Sequence, residues 1–275
     1  MALDIQCNTE RDKLMQINGN VRIVSLYSGS KGNCTYISID GCEILIDAGS
    51  SFKALSTSLE SIGTSVSNIS HIFITHEHVD HVGALGVLLN SFYQIVHMQK
   101  SSAYAAYTKY PALCGRITEH TPIYGIDLGT FSVSSFVLSH DSNGCLGYIV
   151  KRNGEKLFGC MTDTGYVSDE MKSNLLGCRY AMCEANHDVD MLLYGPYPPV
   201  VKERILSRFG HLSNYECASL VRELIDGGSE KILLAHLSEE NNTPEMALDA
   251  INAAVSESDR ERIYVASQRR STVLV

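Results

Sequence analysis

The segment Thr75-His76-Glu77-His78-Val79-Asp80-His81 puts three imidazoles and two carboxylates into six positions, directly after the apolar run Ile72 to Thr75. Metal binding is the chemistry such a set offers. In a chain with ten His among 275 residues, a random His-x-His-x-Asp-His string would arise on the order of once in a thousand such chains. A solvated polar loop is the competing reading. His76 and His78 lie two apart, so in an extended segment both rings project to one side, while Asp80 and His81 fall on the next turn as a helix starts. Two pairs of ligands suit two neighbouring cations. Glu77 stands between them with its side chain pointing the other way, and it receives no metal role. Imidazole and carboxylate without thiolate suit zinc, manganese or iron, and zinc is the default.

The elements that must position this cluster are legible as periodic runs. Strand-length apolar runs occur at Val21 to Tyr27, Cys34 to Ile39, Glu43 to Asp47 and His71 to Thr75. Further runs follow at Thr130 to Leu138, Leu146 to Lys151, Lys156 to Met161, Arg179 to Cys183 and Lys231 to Ala235. Asp40-Gly41 and Asn153-Gly154 have the chemistry of two-residue hairpin turns, because both positions must tolerate positive φ. Helical spacing marks Phe52 to Ile62, Val82 to Phe92, Ser168 to Leu175, Pro199 to Ser207 and Asn214 to Ile225, with a last helix and strand behind. Strands precede helices in both halves, so the chain reads as one α/β domain over residues 1–275, made of two related layers, with 1–20 as an N-terminal extension. Phe73 and Phe92 fall at periodic positions and read as core.

Composition narrows the class. Hydrophobic residues make up 44% and the formal net charge is −9, which argues for a sizeable core and against a broad nucleic-acid-coating surface, though not against a local one. Nine Cys with no Cys-x-x-Cys pair fit neither a secreted disulfide framework nor a Cys-rich zinc module. The expectation is a protein of the reducing cytoplasm, without a membrane partner, since no segment approaches the roughly 20 apolar residues a bilayer requires.

Beyond the cluster, Asp47 ends one strand-like run before Ala48-Gly49, and His140 follows Phe136 to Leu138. Asp163 follows Phe158 to Met161 before Thr164-Gly165, and His236 follows Ile232 to Ala235. In this order and with His76 to His81, they resemble the pattern of the metallo-β-lactamase superfamily over nearly the whole chain. The resemblance implies a four-layer αββα sandwich with a metal site along one edge of its sheets. It implies one metal on His76, His78 and His140, and a second on Asp80, His81 and His236, with Asp163 bridging. Asp47 is then expected to hold a ligating imidazole in the required tautomer from behind. A lone His140 or His236 would read as a buried, hydrogen-bonded histidine.

Asp163 stands where many true β-lactamases of this type carry Cys, and no appended electron-transfer module accompanies the ligands, which leaves the hydrolases. Glu184-Ala185-Asn186, Gly210-His211-Leu212-Ser213 and Ala235-His236-Leu237-Ser238 are similar in order to segments of transfer-RNA 3′-processing nucleases. A closer similarity is to the WalJ/YycJ group of bacterial exonuclease-like proteins. It is carried by Ser28-Gly29-Ser30, Thr75 to His78, Asn186 to Asp188, Gly210 to Asn214 and Ala235 to Ser238. That group lacks the inserted β-CASP domain of larger relatives, and none is expected here. Ser28 and Ser30, in a loop whose Gly backbone and hydroxyls suit a phosphate, are candidate substrate contacts, as are Asn186 and His187. An ordinary strand connection explains that loop equally well. Val167-Ser168-Asp169 reads as a helix N-cap. Lys100, Lys202, Arg204, Arg269 and Arg270 offer local positive charge or plain solvated surface.

The expected function is that of a dinuclear metal-dependent hydrolase, a phosphodiesterase that cleaves nucleic acid, DNA above all, with a metal-activated water. Asp80 would orient the nucleophile, His211 would protonate the leaving oxygen, and Glu184 would favour the protonated ring of His211. The alternative for His211 is a cap or packing role beside the helix near Asn214. The rival function is a thioesterase or other small-ester hydrolase with the same metals; a metal-depleted binding module is the third.

Overall fold

The computed structural model describes residues 21–275. The stretch read as an N-terminal extension lies outside the described residues. Strands β1 (Val21–Tyr27), β2 (Cys34–Ile39) and β3 (Cys42–Ile46) form an antiparallel meander. Its second turn is Asp40-Gly41, with φ of 51° and 86°, the doubly left-handed geometry that matches the twist of flanking strands. Helix α1 (Phe52–Ser61), capped by Ser51, leads to β4 (Ile69–Phe73). Short helices α2 (Val79–Val82) and α3 (Leu85–Ser91) lead to β5 (Ile95–Gln99), and α4 (Lys100–Lys109) to β6 (Ile117–His120). From β3 to β6 all pairings are parallel.

The second half repeats the plan. Strands β7 (Gly125–Asp127), β8 (Phe131–Leu138), β9 (Cys145–Arg152) and β10 (Glu155–Met161) are antiparallel. The Asn153-Gly154 turn, with φ of 53° and 82°, joins β9 to β10. Helix α5 (Asp169–Leu175), whose N-cap Ser168 accepts from the Met171 N–H, precedes β11 (Tyr180–Glu184). Helices α6 (Val189–Tyr194), α7 (Pro199–Leu206) and α8 (Asn214–Asp226) lead to β12 (Lys231–Ala235), and α9 (Pro244–Ala254) to β13 (Ile263–Val265). Strand β14 (Thr272–Val273) crosses to pair with β1, so the sheets run β14-β1-β2-β3-β4-β5-β6 and β13-β12-β11-β10-β9-β8-β7.

Strand side chains alternate between faces, and each sheet uses the alternation to bury both. Ile23, Ile37, Phe73, Tyr148, Phe158 and Leu233 fill the space between the sheets. On the outer face of the first sheet, Val24, Tyr36 and Leu45 pack with Leu55 of α1, Leu88 of α3 and Ala103 of α4. On that of the second, Ile149, Ala181 and Leu234 meet Leu175 of α5, Leu224 of α8 and Ile251 of α9. The result is the four-layer αββα sandwich.

The elements differ from the periodic reading in instructive places. The run Val82 to Phe92 is two helices, not one, because the Ala84 N–H donates to the Ala48 carbonyl and the Asp80 carbonyl accepts from the Asn33 N–H, so the helical bond between Ala84 and Asp80 is not made. The stretch 93–128, read without elements, holds β5, α4, β6 and β7. Helix α4 buries Ser102, Ala103 and Ala106, residues too small to make an apolar stripe. The strands read as Glu43 to Asp47 and His71 to Thr75 stop at Ile46 and Phe73, which frees Asp47 and Thr75-His76 to turn into the sheet edge.

Candidate metal centre

The parallel strands of both sheets end at one edge, where ligands converge in folds of this kind. The chain leaves three of them through non-glycine residues in the left-handed region: Asp47 at φ 62°, Asp163 at 63° and His236 at 56°. Such conformations cost on the order of 1–3 kcal/mol each and persist where surrounding structure holds them. The holding is visible at Gly49, where a Cβ would fall 1.7 Å from the Asp80 carbonyl oxygen. Only glycine admits this approach, which packs the 47–50 turn against the histidine segment.

Donor atoms of His76, His78 and His140 lie within 4.8 Å of one another, as do those of Asp80, His81 and His236. Asp163 sits between the two sets. Its Oδ1 is 3.4 Å from His236 Nε2 and 3.9 Å from His140 Nε2, and its Oδ2 is 3.4 Å from His81 Nε2. The structure thus brings together all seven residues that the sequence nominates as ligands.

Behind them stands a layer of oriented acceptors. Asp47 Oδ2 is 2.8 Å from His81 Nδ1, and the same carboxylate accepts from the Thr75 N–H and hydroxyl. His140 Nδ1 donates to the Gly210 carbonyl at 3.1 Å. Glu184 Oε1 takes both His236 Nδ1 at 2.9 Å and His211 Nδ1 at 2.7 Å, while its Oε2 accepts from the N–H groups of Thr164 and Leu212. With Nδ1–H committed to an oxygen, each of these imidazoles presents Nε2 forward.

The electrostatics divide the imidazoles. Burial, reinforced by its histidine neighbours, holds the His76 pKa well below the ordinary imidazole value, and burial lowers His140 as well. Burial also opposes charge on His81 and His236, but there the carboxylates win: Asp47, Asp80 and Asp163 raise His81, and Asp163, Asp80 and Glu184 raise His236. Burial would raise the acids Asp80 and Glu184, yet both fall below the usual carboxylate range because of the histidines they face. The residues fit bound divalent metal for a simple reason. His76 Nε2, His236 Nε2 and Asp163 Oδ2 are buried without a hydrogen-bond partner, and an unsatisfied buried polar atom costs about 1–3 kcal/mol unless something coordinates it.

Glu77 is placed elsewhere, accepting from Asn143 and from the Ser102 hydroxyl, so that it ties the loop before β9 to α4. Of the four nominated substrate contacts, only Ser30 is exposed. Ser28 is buried, its hydroxyl donating to Asn33 Oδ1 and accepting from the His236 N–H. Asn186 is buried with its amide on the His236 carbonyl, and His187 is 1% exposed. These three stand inside the scaffold, not on a substrate surface. The cap of α8 is Ser213, whose hydroxyl accepts from the Glu216 N–H while Glu216 accepts from the Ser213 N–H. His211 is therefore not the cap and stands half-buried on Glu184. Among the basic residues, Lys202 binds the carbonyls of Leu193 and Gly195, and Arg204 pairs with Asp141.

Sequence reasoning passed over Thr75, Asn33 and the Glu184–His236 contact. Asn33 Nδ2 lies 3.2 Å from His81 Nε2 and 3.3 Å from Asp80 Oδ2. Its signal was present, as the polar residue that ends a Gly-rich loop just before a buried strand.

Comparisons with known proteins agree with this geometry. A family model described as the β-lactamase superfamily domain matches residues 43–237, which include every residue from Asp47 to His236 discussed above. The chain is 37% identical over 237 residues to exodeoxyribonuclease YycJ of Bacillus anthracis, covering 84% of this chain and 88% of that protein. It is 36% identical over 225 residues to exodeoxyribonuclease WalJ of Streptococcus pneumoniae, covering 81% and 83%. The metallo-β-lactamase fold protein YhfI from Bacillus subtilis superposes with a TM-score of 0.69 over 92% of this chain and 98% of its own, at 14% identity, a likeness of fold alone. The chain belongs to the β-lactamase superfamily and is a metal-dependent hydrolase related to YycJ and WalJ.

Proposed function

We propose that the protein is a dinuclear phosphodiesterase acting on DNA as an exonuclease. The observation that carries the reading is the convergence of two donor triads about Asp163, with His76 Nε2, His236 Nε2 and Asp163 Oδ2 buried and without a hydrogen-bond partner. The names of the two relatives support the choice of DNA. In this reading His76, His78 and His140 would hold one cation and Asp80, His81 and His236 the other, with Asp163 between the two sets available to both. Zinc is the expected metal, with manganese and iron as alternatives. Divalent cations there supply Lewis acidity, lowering the pKa of water and neutralising phosphate charge.

The chain's own residues do the rest. Asp47 and Glu184 hold His81 and His236 by Nδ1, so neither ring can turn its donor away. Asp80, 17% exposed at its side chain, is the carboxylate able to orient an attacking water. His211, half-buried and hydrogen-bonded through Nδ1 to Glu184, is the side chain placed to deliver a proton to the departing alkoxide, a poor leaving group without one. We further read residues 1–275 as one working unit without an inserted β-CASP domain. The eight described cysteines are all free, which supports a reducing, cytoplasmic setting.

The test is hydrolysis by metal-replete protein of end-labelled single- and double-stranded DNA and RNA beside a thioester panel. Release of mononucleotides from DNA ends is expected. Turnover of thioesters with none of nucleic acid would overturn the reading in favour of a small-ester hydrolase.

A further inference from the structure

Positive charge gathers beside the centre in a chain whose net charge is −9. Lys31, Lys53 and Arg269 line a groove of about 460 Å³ with Ser51 and Gln268, and among the described residues no carboxylate lines it. Arg270, also exposed, lines the adjoining hollow.

The groove is built onto the backbone that carries the ligands. On one wall the Ser267 hydroxyl accepts from the N–H groups of Arg269 and Arg270, so the two arginines are presented by a fixed turn. That turn is pinned to the residue after His236, because Gln268 Nε2 donates to the Leu237 carbonyl at 3.0 Å. On the other wall, Gly32 lies so near Ser50 that a Cβ would come 2.6 Å from the serine Cβ, and the Asn33 N–H donates to the Asp80 carbonyl at 2.8 Å. The first turn of α1 contributes Lys53 and no acidic residue. Among the described residues, one carboxylate pairs with two of these cations, and Glu240 lines the hollow beside Arg270. Glu239 pairs with Lys31 and lies 3.7 Å from Arg269, and it lines the hollow instead of the groove. With Glu239 engaging only Lys31 and Arg269, the groove keeps positive charge for a polyanion.

We propose that this groove holds backbone phosphates of the DNA strand beside the scissile one, with Lys31, Lys53, Arg269 and Arg270 as the phosphate contacts and Glu239 as an internal competitor displaced on binding. The proposal rests on the phosphodiesterase reading and names the path of its substrate. Contacts to phosphate position a strand without reading its bases, so affinity should be insensitive to sequence. Three or four contacts on a single strand give a slope of log affinity against log salt of roughly −2 to −3.

The experiment is fluorescence anisotropy of a labelled single-stranded DNA, blocked at both ends by phosphorothioate linkages, titrated with holoenzyme across a potassium chloride series. Hydrolysis of bis-p-nitrophenyl phosphate, which is too small to reach the groove, is followed in parallel. Lys53→Gln combined with Arg269→Gln should weaken binding on the order of tenfold and make the slope shallower by roughly 1.4, with small-substrate turnover unchanged. Glu239→Gln should tighten binding by roughly two- to fivefold. Wild-type affinity and slope in the double variant, or loss of small-substrate turnover together with binding, would overturn the groove assignment. A wild-type holoenzyme that binds the DNA through the groove yet hydrolyses no phosphodiester would instead refute the phosphodiesterase reading and leave the groove standing.

Discussion

Glu184→Gln probes the link between the metal ligands and the proposed acid. The Glu184 carboxylate has no exposed surface and four N–H partners: the Nδ1 atoms of His211 at 2.7 Å and His236 at 2.9 Å on one oxygen, the amides of Thr164 at 2.9 Å and Leu212 at 3.2 Å on the other. A carboxamide has the same shape but accepts at one end only. Whichever way it turns, its NH₂ faces two donors. If each charge-assisted bond contributes about 1.5–3 kcal/mol, losing the one to His211 removes that much stabilisation from its imidazolium form. At about 1.4 kcal/mol per tenfold, proton delivery to the leaving oxygen should slow by roughly ten- to a hundredfold. The substrate series separates this effect from structural damage, because p-nitrophenolate leaves with little help from an acid. At saturating metal, with content measured, Glu184→Gln should lose roughly ten- to a hundredfold in kcat on DNA and clearly less on bis-p-nitrophenyl phosphate. His211→Ala should show the same split with metal content unchanged. Equal losses on both substrates, or loss of metal from His211→Ala, would refute the assignment and make His211 a ligand or a structural residue.

Elemental analysis of metal-replete protein should give a ratio near two, with His76→Ala and Asp80→Ala each lowering it; a wild-type ratio that never exceeds one under saturating metal would end the dinuclear reading. Because carboxylates hold His81 and His236 above the ordinary imidazole value, a cation must displace their protons, and affinity measured against a chelator should fall as pH falls. At the far edge of the first sheet, His71, His97 and His120 form a hydrogen-bonded ladder with two 2.9 Å contacts. Burial, helped by the two neighbouring rings, lowers His97 to about 4. Unfolded His97 binds its proton near pH 6.5, so stability present above that value should be lost as pH falls towards about 4. His97→Phe should flatten this decline in urea-unfolding midpoints, and an unchanged decline would place the acid sensitivity elsewhere.

What the amino-acid sequence determined by itself was local chemistry and its order along the chain. His76 to His81 announced a metal because three imidazoles within six positions have few other uses, and the Asp-Gly and Asn-Gly turns announced hairpins because few other pairs tolerate two positive φ angles. The strands that carry Asp47, Asp163 and His236 were legible because each is a short apolar run cut by a polar residue. Residues 93–128 were not legible: β6 and β7 are short edge-side strands of mixed polarity, and their state is decided by pairing with β5 and β8, partners that local propensity does not see. Nor could residue types separate Ser30 from Ser28, Asn186 and His187, since exposure is a property of packing. Only the tertiary structure decided that Glu184 serves two histidines from different segments, 27 and 52 residues away, and that Arg269 stands across a groove from Lys53. The first fact depends on β11 and β12 pairing in register, which sets Glu184 opposite Ala235 and beside His236, and the second on the chain crossing after β13 to pair β14 with β1.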